Sequence, residues 1–301
     1  EAWIVFRKDK TFLLDWMQVY MEAQESAGKK DGSQIKIAMR ILKDYAGEMV
    51  TLDQIDGDFC RGYITYLLTE YHPKGKDISN YTLHNYYRAL NGALNSAVRK
   101  KKMKANPFNE LEKSEKIRKP ESMRSYMTIE EVQALIDTPM PHEEYEIVKC
   151  AYLFSCFCGL RISDIIKLKW NDVFVDRGQY RLAVSMKKTK EPIYLPLSPE
   201  ALKWMPERGG KSSEDNVFDL PSANTIRMQL KPWAKAAGIS KRFSYHTSRH
   251  TFATMMLTLG ADLYTVSKLL GHADVKMTQV YAKIINKKKD EAVNLVNGLF
   301  H

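Results

Sequence analysis

The stretch SYHTSRHTFATMMLTLGADLYTVSKLLGHADVKMTQVYAKI, residues Ser244 to Ile284, concentrates side chains that can bind or attack a phosphate. If its first part is a helix, the i, i+3 spacing puts His246 and Arg249 on one face, where both can contact a single anion. His272 and Tyr281 follow, and a tyrosine phenol is a nucleophile once its proton is removed and its anion is stabilised. Each residue taken alone is more often structural, so their joint occurrence supports the hypothesis of phosphate chemistry.

The chain has 301 residues and a formal net charge of +10 at pH 7, with 46 Lys and Arg against 36 Asp and Glu. This length suits two domains of ordinary size, and the positive excess suits a polyanionic partner. The charge is concentrated between residues 99 and 124, where ten Lys or Arg accompany four Glu. No apolar run reaches roughly eighteen residues and no secretory signal occurs, so we expect a cytoplasmic, nucleoid-associated protein without a membrane span.

The first half of the chain shows helical periodicity in four successive segments. Ser33 is a predicted N-cap for the second segment, and Asn106-Pro107 ends the domain because proline cannot continue a helix. We therefore predict an all-α, four-helix domain over residues 11–108, with helices at residues 11–27, 34–46, 57–71 and 80–102.

The predicted fourth helix has an apolar stripe on one side and Asn, Arg and His on the other. Asn and Arg side chains recognise base edges and hold phosphates in a major groove, although a plain solvated helix face explains the same pattern equally well. The second helix turns basic side chains outward in a similar way. The candidate DNA contacts are Lys36, Arg40, Lys43, His84, Asn85, Arg88, Asn91, Asn95 and Arg99.

Residues 109–125 are charged and poor in apolar side chains, which predicts an extended and mobile basic linker. A linker of this kind could pass along a duplex. A second domain follows, which we assign to residues 126–285.

Thr128 and Glu131 form a predicted capping box at the start of that domain. The next segment, residues 143–158, is apolar nearly all round and is predicted to be a central buried helix that ends at Gly159. The apolar period then changes to two, which indicates three short antiparallel strands at residues 172–174, 179–185 and 192–195. The predicted fold class is mainly α with a small antiparallel β-sheet, an α+β arrangement, beside the all-α first domain.

Neither a metal site nor a nucleotide site is predicted. The spacing of Cys150, Cys156 and Cys158 matches no zinc motif, and with Cys60 these residues are expected to be buried free thiols. The chain has no G-x-x-x-x-G-K-[ST] loop, no H-E-x-x-H motif and no acidic cluster suited to two magnesium ions. We therefore expect no cofactor and no bound metal.

Four motifs of the second domain together resemble those of the tyrosine recombinases, the phage integrase family, and most of all the integrases of phages or conjugative transposons. They are GLRISDI, the hairpin SMKKTKEPIYLPL, HTSRH and LLGHADVKMTQVYAKI. Alignment backwards from Pro196-Leu197 in the hairpin selects Lys188 rather than Lys187 or Lys190. The resemblance implies the catalytic residues Arg161, Lys188, His246, Arg249, His272 and Tyr281, supported by Asp164 and His250.

The resemblance also implies a site-specific recombinase or integrase that cleaves and rejoins DNA strands through a 3′-phosphotyrosyl intermediate, without metal or ATP. Its expected partners are double-stranded DNA at attachment or core sites, further copies of itself in dimers and tetramers on DNA, and DNA-bending or directionality factors. The first residue is Glu rather than Met, so residues 1–10 are expected to end a linker from an upstream arm-binding domain. The tail at residues 286–301 is expected to pack on a neighbouring protomer.

Phosphodiester chemistry gives each of these residues a role. Two Arg forks and a His N–H suit the non-bridging oxygens, on which negative charge develops, and Arg161, Arg249 and His272 are predicted to hold them. His246 is the predicted base for the Tyr281 phenol. The leaving 5′ oxygen needs a proton, for which the hairpin lysine is the predicted acid.

Two alternatives share part of these signals. One is a type IB topoisomerase that nicks and reseals without exchanging strands, against which the separate helical first domain argues. The other is a catalytically silent DNA-binding protein with the same fold, against which the complete set of six residues argues.

Overall fold

The computed structural model describes residues 10–120, 124–185 and 192–282, and the chain divides into two structural units, residues 1–122 and 123–301. Both are mostly helical, and the second also contains a small antiparallel sheet, which confirms the predicted fold class. The predicted catalytic Lys188 and the predicted tail at residues 286–301 lie outside the described residues.

The predicted helices of the first unit are present, and the fourth lies against the first two. The indole N–H of Trp16 donates to the carbonyl of Ala93 at 2.8 Å, which joins the first helix to the fourth. Leu90 and Leu94 on the fourth helix are fully buried, as their place in its apolar stripe predicts. The α-helices described within residues 10–120 are α1 (Leu13–Ser26), α2 (Gly32–Ala46), α3 (Gly57–Thr69) and α4 (Asn80–Arg99).

The predicted N-cap of α2 is wrong. Asp31 already has helical backbone angles and α2 begins at Gly32, without a side-chain cap. Ser33 therefore lies inside the first turn, where its hydroxyl cannot take the capping position.

The segment predicted to be an extended linker is anchored over much of its length. Leu111 and Ile117 are buried in the core of the first unit. The guanidinium of Arg61 on α3 donates to the carboxylate of Glu115 at 2.9 Å. Two isolated apolar side chains and one ion pair are too few to produce a periodic signal, which is why the sequence suggested a mobile segment there.

A buried central helix organises the second unit. The helix α5 (Ile129–Asp137) begins with the predicted capping box, in which Thr128 and Glu131 bond each other's backbone N–H groups at 3.3 and 2.7 Å. A short 3₁₀ turn at Glu143–Tyr145 leads into α6 (Glu146–Cys158), most of whose side chains are buried. Gly159 ends α6 at φ 75°, a left-handed conformation that glycine adopts readily.

The sheet of the second unit has the order β1-β2-β3, with both pairs antiparallel. Its described strands are β1 (Val173–Asp176), β2 (Gln179–Ser185) and β3 (Pro192–Pro196). Arg177 and Gly178 connect β1 to β2 with φ of 50° and 79°, the positive angles of a tight hairpin turn. Leu182 and Leu195 face each other across β2 and β3, and both are buried on the core side.

Among the remaining helices of the second unit, the one carrying the H-x-x-R-H motif packs directly against α6. That helix is buried on nearly all sides, through polar as well as apolar residues. Within the described residues, no helix combines the length and the apolarity needed to cross a bilayer. These further helices are α7 (Ile162–Ile165), α8 (Pro199–Leu202), α9 (Ala223–Ala236), α10 (Tyr245–Thr258), α11 (Leu263–Leu269) and α12 (Lys276–Ala282).

We expect Gly159→Ala to destabilise the second unit more than Gly178→Ala does. Both glycines have positive φ, which costs an alanine about 1–2 kcal/mol. A Cβ at residue 159 would in addition lie 2.6 Å from a ring carbon of Phe252 and 3.2 Å from Leu270, whereas a Cβ at residue 178 meets nothing within 4 Å. Overpacking of this kind costs about 1–3 kcal/mol more. Urea denaturation of the two variants measures the difference, and equal losses would contradict the expectation.

Candidate active site

Buried hydroxyl groups fix the start of α10 against α6. The phenol of Tyr245 donates to the carbonyl of Ala151 at 2.7 Å, and the hydroxyls of Tyr152 and Thr247 are 2.8 Å apart. Helices joined in this way cannot rotate about their axes without leaving buried polar groups unpaired. The network therefore sets the direction in which the motif residues of α10 point.

Arg249 on α10 is a buried cation that bridges two chain reversals. Its side chain donates from Nη1 to the carbonyl of Gly159 at 2.6 Å and from Nη2 to the carbonyl of Leu270 at 2.5 Å. Burial and the neighbouring charge of Arg161 lower the pKa of Arg249 to about 10. The guanidinium therefore stays protonated at neutral pH, and both of these hydrogen bonds go to carbonyl oxygens.

Arg161 is the N-cap residue of α7, two residues after Gly159, and it remains partly exposed. The buried carboxylate of Asp164 has one oxygen 4.0 Å from Nη1 of Arg161, and its other oxygen accepts from the Ser163 hydroxyl at 3.2 Å. The charge of Arg161 lowers the pKa of both Arg249 and His246, so these three groups share one electrostatic environment.

His272 follows α11 and is oriented by α12. Its Nδ1 lies 2.7 Å from the hydroxyl of Thr278, which is fully buried. The backbone N–H of His272 donates to Ser267 at 3.0 Å, after Gly271 has turned the chain at φ 60°. The chain reversal and the hydroxyl together fix the imidazole orientation, and Thr278 was not predicted as a site residue.

Tyr281 on α12 is buried to 1% exposure, with its ring in a small apolar cluster that includes Phe252 and Leu270. Its phenol oxygen accepts a hydrogen bond from Nη1 of Arg124 at 2.9 Å. The same oxygen lies 2.6 Å from Nδ1 of His250. The phenol thus lies between a guanidinium and an imidazole.

The imidazole beside Tyr281 is neutral at physiological pH. Burial, together with the charges of His246, Arg124 and Arg249, lowers the pKa of His250 to about 3. Since Arg124 donates to the phenol oxygen, the phenol O–H is left to donate to Nδ1 of His250. This pairing assigns the Nδ1 position as the acceptor tautomer.

His246, the predicted base, has a different position. It lies one helical turn before His250, with the two rings edge to face at a centroid distance of 4.7 Å, and its side chain is exposed. Neighbouring atoms partly desolvate the ring even though the residue is exposed, and this desolvation and the charge of Arg249 lower the pKa of His246. Among the described contacts of the phenol, the histidine partner is His250 and not His246.

The candidate DNA contacts on the first unit differ in exposure and in whether their side chains already have a partner within the protein. Asn91 and Asn95 are half-buried, and their side-chain oxygens accept from the amide of Asn106 at 2.7 and 2.9 Å. Lys43 pairs with Glu48 on the surface. His84 and Asn85 are half-buried, whereas the remaining residues of the predicted set have exposed side chains, namely Lys36, Arg40, Arg88 and Arg99.

Three of the four cysteines have the burial that the sequence predicted, and Cys150 is less buried than expected. Cys60, Cys156 and Cys158 are buried free thiols and Cys150 is half-buried. In the ranges that the structure describes, no group of three or more His, Cys, Asp or Glu side chains is arranged to hold a metal ion.

Two family models match most of the chain. The model of the phage integrase family matches residues 125–288, and that of the phage integrase SAM-like domain matches residues 12–118. The chain belongs to the phage integrase family. This confirms the family predicted from the sequence and, with it, the predicted general function of a tyrosine recombinase in site-specific DNA recombination.

Individual relatives support the assignment. A tyrosine recombinase of Pseudothermotoga lettingae is 29% identical over 242 residues, which is 73% of this chain and 82% of the relative. The tyrosine recombinase XerD of Vibrio vulnificus is 32% identical over 184 residues, 56% of this chain and 59% of the relative.

Solved structures share the fold at lower identity. The Tn1549 transposon integrase in complex with circular intermediate DNA has a TM-score of 0.71 at 17% identity, with 90% of this chain and 94% of that chain covered. A lambda integrase dimer bound to a COC′ core site has a TM-score of 0.65 at 21% identity, with 90% and 95% covered. The fold of this recombinase is therefore that of the integrases.

We expect the stability of the second unit to fall as pH decreases from about 6.5, the ordinary pKa of histidine, towards 3, the pKa of folded His250. Between these two pH values the imidazole of residue 250 is protonated in the unfolded chain but neutral in the folded protein. The slope attributable to this one group is up to about 1.4 kcal/mol per pH unit.

Unfolding free energies measured between pH 7 and pH 4 test the slope. The variant His250→Asn, whose side-chain oxygen can replace Nδ1 as an acceptor, should show a shallower decline than the wild type. His142→Asn, a change at an exposed histidine, should follow the wild type. Parallel curves for all three proteins would show that His250 has no such linkage.

Proposed function

We propose that this recombinase cleaves DNA by attack of Tyr281 on a phosphodiester, which forms a 3′-phosphotyrosyl bond and releases a 5′ hydroxyl. The observation that carries the proposal is the phenol itself. Its oxygen is held between Arg124 and neutral His250, at 2.9 and 2.6 Å. Packing of a tyrosine ring in an apolar cluster does not require both a cation and a proton acceptor at its oxygen, so this arrangement favours a chemical role for the phenol.

Arg161, Arg249 and His272 are the proposed clamp for the non-bridging phosphate oxygens. Each Nη of a guanidinium carries two N–H donors, so the carbonyl bonds of Arg249 leave a second donor on each nitrogen for phosphate. Nδ1 of His272 is turned to Thr278, which directs Nε2 away from that hydroxyl. Such fixed donors stabilise the charge that develops on the oxygens during attack.

The proton of the phenol is proposed to move first to Nδ1 of His250. Charges around the site hold the pKa of this imidazole low while no anion is bound. A phosphodiester bound among these cations offsets their charge and makes the imidazole a better acceptor. His246, the base predicted from the sequence, lies edge to face with the ring of His250. Lys188 remains the proposed acid for the leaving 5′ oxygen.

Duplex DNA is the proposed substrate, and copies of this chain are the proposed partners on it. The positive net charge and the exposed basic residues of α2 and α4 support contact with phosphates. The structural neighbours include a lambda integrase tetramer bound to a Holliday junction, which has a TM-score of 0.68 at 21% identity. Lys36, Arg40, Arg88 and Arg99 are the residues that we propose for these contacts.

A nicked suicide duplex tests the proposed chemistry. Cleavage near the nick releases a short strand that carries the 5′ hydroxyl, and because this strand diffuses away, the covalent product cannot be rejoined. The wild type should form a protein–DNA adduct and Tyr281→Phe should form none. Tyr264→Phe, at a tyrosine that is 60% exposed, is the matched control and should form the adduct normally. An adduct with Tyr281→Phe would show that the nucleophile is another residue, and no adduct with the wild type would favour the silent DNA-binding alternative.

Arg161→Ala should reduce the cleavage rate by roughly 100- to 1,000-fold, the effect of losing one donor to a developing charge. Binding of an uncleaved site should change little, since one phosphate contact among many is lost. Arg161 is a cleaner test than Arg249, because removal of Arg249 would also leave two buried carbonyls without donors. Single-turnover cleavage and gel-shift titration measure the two quantities.

Truncation tests the proposed self-association. Deletion from Asn294 onward should weaken assembly of several protomers on DNA more than it weakens binding to one half-site. Sedimentation of the complexes on single and paired half-sites measures both. Equal affinity and equal assembly after truncation would contradict a role of this tail between protomers.

A further inference from the structure

Arg124 belongs to the part of the sequence that was assigned to a linker, yet it contacts the proposed nucleophile. Its Nη1 donates to the phenol oxygen of Tyr281 at 2.9 Å. Its guanidinium carbon is also 5.3 Å from the centroid of the Tyr281 ring. The cation therefore contacts both the oxygen that reacts and the π face behind it.

The backbone beside Arg124 is tied to the catalytic unit. The N–H of Met127 donates to the hydroxyl of Thr251 on α10 at 2.9 Å. Lys241 donates to the carbonyl of Tyr126 at 3.0 Å, and its ammonium lies over the ring of Tyr126. The bond from Met127 to Thr251 thus holds the chain next to the helix that carries His250, three residues away from Arg124.

Arg124 lies among other positively charged groups, so its position is electrostatically unfavourable and is not explained by stability alone. The charge of Arg124 lowers the pKa of both His246 and His250. Arg161 and Arg249 add two further cations to the same environment. A guanidinium placed for stability alone would gain more from a carboxylate than from a neutral phenol among other cations.

We propose that Arg124 is a further catalytic residue, which acts on the oxygen of Tyr281; this inference rests on the proposed role of Tyr281 as nucleophile. As the phenol O–H bond breaks and the proton passes to Nδ1 of His250, the guanidinium stabilises the negative charge left on the oxygen. That oxygen forms its bond to phosphorus while the bond from phosphorus to the 5′ oxygen breaks. In the rejoining step the same contact stabilises the departing phenolate.

The first arm of the experiment measures single-turnover cleavage of the nicked duplex at saturating protein. Arg124→Gln, which keeps a hydrogen-bond donor but removes the charge, should cleave roughly 10- to 100-fold more slowly than the wild type. Arg227→Gln makes the same change at an exposed arginine of the same unit and should cleave at the wild-type rate. An unchanged rate for Arg124→Gln overturns the proposal.

The second arm separates an action on Tyr281 from a contact with DNA or a structural role. A strand that ends in a 3′-para-nitrophenyl phosphate has an activated leaving group, so joining it to a 5′ hydroxyl needs the phosphate clamp but not the tyrosine. We expect Tyr281→Phe and the double variant Arg124→Gln/Tyr281→Phe to join this strand at equal rates. A tenfold or larger loss in the double variant would show that Arg124 serves the DNA or the fold, and would overturn the proposal.

The two proposals fail in distinguishable ways. If Tyr281→Phe still forms the covalent adduct, the nucleophile assignment fails and the role of Arg124 fails with it. If Tyr281→Phe forms no adduct while Arg124→Gln cleaves at the wild-type rate, the nucleophile assignment stands and only the role of Arg124 is overturned.

Discussion

The bridge from Arg249 to the carbonyls of Gly159 and Leu270 is the interaction on which the site depends. It joins the end of α6 to the end of α11 through one buried cation. The residues that follow these two carbonyls supply the other two members of the proposed phosphate clamp, because Arg161 comes just after Gly159 and His272 comes just after Leu270. A buried guanidinium must satisfy its donors, so satisfying Arg249 also brings the other two clamp residues together.

The site brings several positively charged side chains together, and their mutual repulsion reduces the stability of the fold. Burial and repulsion lower the pKa of Arg249 to about 10 and that of His250 to about 3. Carbonyl dipoles and the neutral state of His250 limit this cost without neutralising it. A bound phosphodiester would reduce the repulsion, so in the proposed mechanism the binding of the anion and the deprotonation of Tyr281 depend on the same charges.

Local rules predicted the elements that frame the site, whereas contacts over long sequence distances escaped them. The capping box of Thr128 and the turn at Gly159 follow from residue type and spacing, and both were found where the sequence indicated. The bond from Arg124 to Tyr281 joins residues 157 positions apart, and no period or motif encodes such a pair. In the same way, the bond that Asn106 donates to the side-chain oxygen of Asn91 was not predicted from the sequence.

The different roles of His246 and His250 come from tertiary packing, which sequence spacing does not reveal. Spacing of four residues places the two rings on one side of α10, and their edge-to-face contact follows from it. In the first turn of the helix His246 is exposed while its neighbours Tyr245, Thr247 and Ser248 are buried, whereas His250 in the second turn is covered by the cluster that holds Tyr281. Burial therefore selects His250 as the neutral acceptor beside the phenol and leaves His246 in contact with water.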